Sequence, residues 1–266
     1  MSHTLDAQQL YLFDTQGFLH LPGQLSPEEV AHFRRVFTTL EPHKRYPSRS
    51  SERWENTVAL DPEISALAED PRVVARMRSV INQPLRMLES YAILSRRGSF
   101  LFMHNGNVQD LTYEDGTRAT LNLSIRHDYH DGRLYCTFVK AIFYLQDVPG
   151  PEAGPFCYVH GSHKANFKFP WPKDEAGKPV LVAESGFPTL ALQPVGAGDM
   201  ILLNEALLHG AMPKSTPEER IIMSFSYGPA YVTDWKPLDR RPDDLHTPGH
   251  YDPDCEEDFF EDSGDP

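Results

Sequence analysis

The chain is expected to fold as a mainly β protein with its helices gathered near the N-terminus, and three observations point there. Capped helix starts cluster before residue 82: Ser26 with Pro27 and Glu29, Asp61 with Pro62, and Asp70 with Pro71. Beyond them come short apolar runs, alternating or continuous, of the kind that form half-buried and fully buried strands. The 23 prolines and 17 glycines supply the many turns and long loops such a fold needs. At 266 residues the chain is long for one domain, yet all-β barrels and sandwiches commonly reach this length undivided. Residues 1–250 are therefore read as one domain.

Each element can be justified in order. Phe18 and Leu19, after a turn at Gly17, suggest a short strand. The helix capped by Ser26 places Val30, Phe33, Phe37 and Leu40 on one face. Residues 41–57, with four Arg or Lys and little periodicity, read as a loop. The helix that starts at Asp70 buries Val73, Val74, Met77, Val80 and Ile81 until Gln83 and Pro84 end it. Leu85 to Leu94 reads as a strand leading to a turn at Arg96 to Ser99. Glu114, Asp115 and Gly116 signal a hairpin. The apolar runs on either side of residues 127–131 then read as two strands, whose connection holds His127, Asp128, His130 and Asp131. Residues 165–186, with Phe169 and Trp171, form either a lid or a loop wrapped over the sheet. Residues 252–266 hold eight Asp or Glu and no Lys or Arg, so 251–266 read as a disordered acidic tail.

Charge and cysteine usage narrow the function. A net charge of -13 argues against nucleic acid or an anionic membrane surface as partner. Three widely spaced cysteines, Cys136, Cys157 and Cys255, fit a reducing compartment better than a disulfide framework. No stretch has the length of a membrane span, and the N-terminus lacks a signal-peptide pattern, so the cytoplasm is the expected location.

The most informative stretch is GDMILLNEALLHGAMPKSTPEER, residues 198–220. A buried-type strand, Met200 to Leu203, leads to His209, and eleven residues later Arg220 opens a second strand. Imidazole is a good ligand for transition metals, and guanidinium has the fork that matches a carboxylate. The pair suggests a metal that holds an acid.

A lone histidine would not carry that reading, but its surroundings do. The stretch GPFCYVHGSHK at 154–164, followed by Gly198 and Asp199, His209 and Arg220, resembles the phytanoyl-CoA dioxygenase family of iron(II)/2-oxoglutarate oxygenases. The opening glycine turn, strand and capped helix resemble the start of the same family. The resemblance implies a double-stranded β-helix, or jelly roll, related to the cupins. It implies Fe(II) held by His209, with Arg220 on the distal carboxylate of 2-oxoglutarate. It also implies His104 as the first iron ligand, within FLFMHNGN.

Most of that family carries an aspartate two residues after the first histidine, whereas this chain has Gly106. The place could be filled by water, a small anion or a more distant side chain, and His-x-Gly resembles iron halogenases in which chloride takes it. His127, Asp128 and His130 form a competing set. Adjacent strand residues point to opposite faces, so they are better candidates for contact with substrate than for chelation. The implied activity is hydroxylation of an unactivated carbon in a small-molecule substrate using dioxygen. Halogenation, or binding without turnover, are the alternatives.

Overall fold

The computed structural model describes residues 3–105, 108–112, 118–122, 125–165, 169–170, 172–177, 187 and 189–231. The expected acidic tail and most of the 165–186 segment lie outside them, as does Gly106. The chain begins with α1 (Ala7–Gln16), β1 (Phe18–Leu21) and α2 (Pro27–Thr39), followed by β2 (Lys44–Tyr46) and β3 (Ser51–Glu55). Helices α3 (Pro62–Glu69) and α4 (Pro71–Ile81) precede the long β4 (Leu85–Ser95) and short β5 (Leu101–His104). Two hairpins follow, β6 (Val108–Thr112) with β7 (Arg118–Asn122), and β8 (His127–His130) with β9 (Arg133–Cys136). The remainder is β10 (Val139–Tyr144), β11 (Phe156–Val159), β12 (Leu190–Gln193), β13 (Met200–Asn204), β14 (His209–Ala211) and β15 (Arg220–Pro229). Among the described residues no helix is long and apolar enough to cross a membrane.

The strands make the expected jelly roll. A seven-stranded sheet runs β1-β13-β10-β15-β4-β3-β2, and a four-stranded sheet runs β12-β11-β14-β5. Strand β10 explains the two-sided burial. Ala141 and Phe143 face α2, α3 and α4 with Phe33, Phe37, Val73 and Met77. Ile142 and Tyr144 face the smaller sheet with Phe18, Ile201, Leu203, Phe156 and Tyr158. Alternation along a strand sends successive side chains to opposite layers, so a strand covered on both faces is continuously apolar.

The helix starts were legible because their caps are local. Ser26 and Glu29 form a reciprocal capping box, and Asp61 accepts from the backbone N–H of Glu63 and Ile64. Helix α4 ends at Asn82 in the left-handed conformation, one residue before the expected stop. Three expectations need correction. Helix α1 was not anticipated, since its amphipathic pattern is weak; it starts from the Asp6–Gln9 capping box. The 41–57 segment is no loop, because β2 and β3 extend the large sheet, with Trp54 packed on Phe37 at 5.5 Å. Finally, His127 to His130 are strand β8 itself. The tight connection is Asp131-Gly132, both with positive φ, the conformation favoured between twisted strands.

Candidate metal centre

Strand β14 delivers His209 directly opposite His104 of β5 in the small sheet. Their rings lie 4.4 Å apart between centroids. The close approach of these strands depends on Gly210, where an added Cβ would stand 2.8 Å from the Leu101 carbonyl oxygen. Strand β13 is launched by Gly198 and Asp199. At Gly198, φ is +86° and a Cβ would meet the Leu25 carbonyl oxygen at 2.7 Å. Burial opposes ionisation of Asp199, but N–H donors from Gly196 and Gly23, with His20 at 2.7 Å, hold its carboxyl below the ordinary range.

The tautomers of the two facing histidines follow from their partners. His104 Nδ1 donates to the Phe102 carbonyl at 2.9 Å, and His209 Nδ1 donates to the Leu207 carbonyl at 2.7 Å. A carbonyl only accepts, so each proton sits on Nδ1 and each Nε2 offers a lone pair. Burial, the neighbouring His104 and Lys140 together push His209 well below the ordinary imidazole range; burial likewise lowers His104. Both rings are therefore neutral, as ligation requires.

A residue that sequence reasoning missed completes the group. Glu205, on the turn between β13 and β14, brings its carboxylate to 4.0 Å from His104 Nε2 and 3.9 Å from His209 Nε2. Among the described residues, His104, Glu205 and His209 are the only group of three or more potential ligands, with ligand atoms within 4.8 Å of one another. Two imidazole Nε2 atoms and a carboxylate converge on one point, a donor set that suits a metal cation between them. Lys140 of β10 also escaped notice, because it stands in an otherwise apolar strand. Its Nζ is 3.0 Å from Glu205 and 3.5 Å from Glu89, and lies over the rings of Tyr91 and Phe138. Burial disfavours the charged lysine, but Glu205, Tyr91 and Glu89 more than offset it and raise its pKa.

Arg220 opens a new strand, β15, as its place after the polar connection suggested, but that strand does not lie alongside Met200 to Leu203 as expected: β10 stands between them, and Arg220 is opposite Ser95 of β4. The side chain is buried; it donates to the Gly154 carbonyl oxygen and, at 3.1 Å, to Ser95 Oγ. Its Nε has no partner among the described residues, and neither terminal nitrogen meets a carboxylate there. Burial lowers its pKa while Tyr144 and Cys157 oppose that shift. A buried guanidinium lacking an anion is a fit for the carboxylate of an organic acid.

The other candidates lie elsewhere. The His127 side chain is buried, with Nε2 2.8 Å from Asp14 and Nδ1 2.7 Å from Asn204. His130 is exposed and stacks on Tyr135 at 3.9 Å, and Asp128 is also exposed. None of the three joins the group around His209.

Two β-sheets enclosing a pair of neutral imidazoles, with a buried arginine on the next strand, define a jelly-roll oxygenase of the metal- and oxoacid-dependent kind. The chain belongs to the phytanoyl-CoA dioxygenase family, whose model matches residues 13–222. It is accordingly an iron(II)- and 2-oxoglutarate-dependent enzyme. HygX from Streptomyces hygroscopicus, solved with nickel and 2-oxoglutarate bound, is 42% identical over 94% of this chain and 97% of its own, with a TM-score of 0.81. HygX has also been solved with iron bound, and with nickel, 2-oxoglutarate and hygromycin B, at 43% identity. The non-heme alpha ketoglutarate dependent carbocyclase SnoK from nogalamycin biosynthesis shares the fold at 18% identity and a TM-score of 0.60, over 86% of each chain. No protein of curated function matches the chain.

Proposed function

We propose that His104 and His209 hold iron(II), that Arg220 binds the distal carboxylate of 2-oxoglutarate, and that the enzyme uses dioxygen to hydroxylate an unactivated carbon of a small molecule. The observation that carries this is the facing pair of Nε2 lone pairs on β5 and β14, with an anion-deficient guanidinium buried at the start of β15. Bound iron and 2-oxoglutarate supply an oxidant that no side chain provides. The protein's own residues have other tasks. The two histidines are kept neutral and oriented by their backbone acceptors. Arg220 fixes the co-substrate by charge and fork geometry, with Ser95 steadying one of its nitrogens. The apolar layer of Phe156, Tyr158, Ile142 and Tyr144 keeps water out of the space between the sheets.

HygX accommodates hygromycin B at 43% identity, so the substrate proposed here is a small molecule of that kind. The cytoplasm, where thiols such as the buried free Cys136 and Cys157 stay reduced, is the proposed location. Incubation with iron(II), 2-oxoglutarate, dioxygen and hygromycin B should release succinate and give a product heavier by one oxygen. A chlorinated product would replace hydroxylation by halogenation, and absence of succinate with any substrate would overturn the catalytic reading.

A further inference from the structure

We infer that Glu205 is the carboxylate ligand of the metal, taking over the role that Gly106 cannot fill; this rests on the iron-centre reading above. Metal–ligand bonds of about 2.1 Å allow two ligand atoms to stand up to roughly 4.2 Å apart. Glu205 lies within that span of both His104 and His209, at 4.0 and 3.9 Å. All three groups are acceptors toward the point they share, because both imidazole protons are committed to the Phe102 and Leu207 carbonyls. Lys140 neutralises the carboxylate from one side, but it supplies no acceptor for the histidine lone pairs, which a metal ion at the shared point would satisfy. Two histidines and one carboxylate with open positions is also the ligand set non-haem iron oxygenases use.

Glu205 is held there by backbone rather than by chance. Its N–H donates to the Phe138 carbonyl at 3.1 Å, and the turn is closed by Leu207 N–H to the Asn204 carbonyl and by Ala206 N–H to Asn204 Oδ1. The turn folds the carboxylate back on the histidine four residues later, a geometry that a strand-borne His-x-Asp pair does not share. Lys140, 3.0 Å from Oε2, acts as its positioning counter-ion. Glu205 is buried, with 5% of its surface exposed, and the lysine offsets much of the cost of burying its charge before metal arrives.

The test is calorimetric titration of nickel(II) into metal-stripped full-length protein. Glu205→Gln should weaken nickel binding by at least about tenfold, the scale on which lost metal-site interactions act, while the apoprotein still unfolds cooperatively. Glu205→Ala should regain part of that affinity on addition of formate. If the single variants do not fold, Glu205→Gln combined with Lys140→Met removes both charges together and carries the same measurement. Nickel affinity of Glu205→Gln within twofold of wild type overturns the assignment. His209→Ala separates the two levels: unchanged binding there overturns the iron centre itself, whereas its loss with Glu205→Gln unaffected overturns only the role of Glu205.

Discussion

The side-chain amide of Asn204 donates to Nδ1 of His127 across 2.7 Å, while its carbonyl oxygen accepts from the Ala206 N–H at 2.9 Å. His127 passes the link on, its Nε2 donating to Asp14 of α1 at 2.8 Å. The N-terminal helix is thus wired through β8 to the turn that carries Glu205 and leads into His209. Asn204→Ala would strand one acceptor and one donor in a buried setting, at roughly 1–3 kcal/mol each. Urea unfolding should show a loss of about 2–6 kcal/mol, with weaker nickel binding; an unchanged midpoint would dismiss the network as incidental.

Arg220→Ala is expected to act on the co-substrate more than on the fold. Removing a charge-assisted pair whose other charge stays buried costs about 2–5 kcal/mol in binding, so the 2-oxoglutarate dissociation constant should rise at least about thirtyfold. The apoprotein should melt no lower, since a buried cation that meets no carboxylate among the described residues is itself a burden. Arg220→Lys should restore little, because an ammonium lacks the planar fork. Equal 2-oxoglutarate affinity in wild type and Arg220→Ala would remove the residue from the site.

Gly154 predicts a steric route to the same defect. Its φ is +70°, and an added Cβ would lie 2.9 Å from both an Arg220 terminal nitrogen and the Met212 carbonyl oxygen. Gly154→Ala should therefore weaken 2-oxoglutarate binding and lower stability by more than the ~1 kcal/mol of an unfavourable glycine replacement. Gly132→Ala is the matched control, with φ +74° but nothing within 4 Å of the new carbon. It should cost only the backbone term, and parallel losses of affinity in the two variants would count against the contact.

His163 makes stability depend on acid. Burial pushes its imidazole from the ordinary value down to about 4, with the Asp14 carbonyl, 2.9 Å from Nε2, opposing the shift, and with His127 and Lys164 adding to it. The native state then binds fewer protons than the unfolded chain between pH 6.5 and 4. Stability is complete above 6.5 and falls as pH drops toward 4, by up to roughly 3 kcal/mol from this group. His163→Gln should flatten the pH dependence of the urea midpoint across that window. A slope identical to wild type would assign the acid sensitivity to other groups.

What the sequence by itself determined was whatever its local grammar carries. Ser26, Asp61 and Asp70 cap helices within a few residues of themselves, so α2, α3 and α4 were readable. Gly198 with Asp199, the apolar run of β13, and the eleven residues from His209 to Arg220 describe one continuous segment, and the resemblance it carries led to the family. His104 was legible through that same resemblance, and the ladder pairs it with His209.

Only the tertiary structure decided which polar groups meet. His127 and His130 were candidates for contact with substrate, but one is consumed by Asp14 and Asn204 and the other stacks on Tyr135 in solvent. Lys140 and Glu205 carried no local signal that would single them out. Their pairing exists because β10 and β13 lie side by side in the large sheet, with Lys140 in register with Leu203. Strands β2 and β3 were missed for a similar reason: a short edge strand gains its order from its neighbour's backbone hydrogen bonds, which no side-chain pattern records. The cost of burying a charge is settled by what stands opposite it, and that neighbour comes from a distant part of the chain.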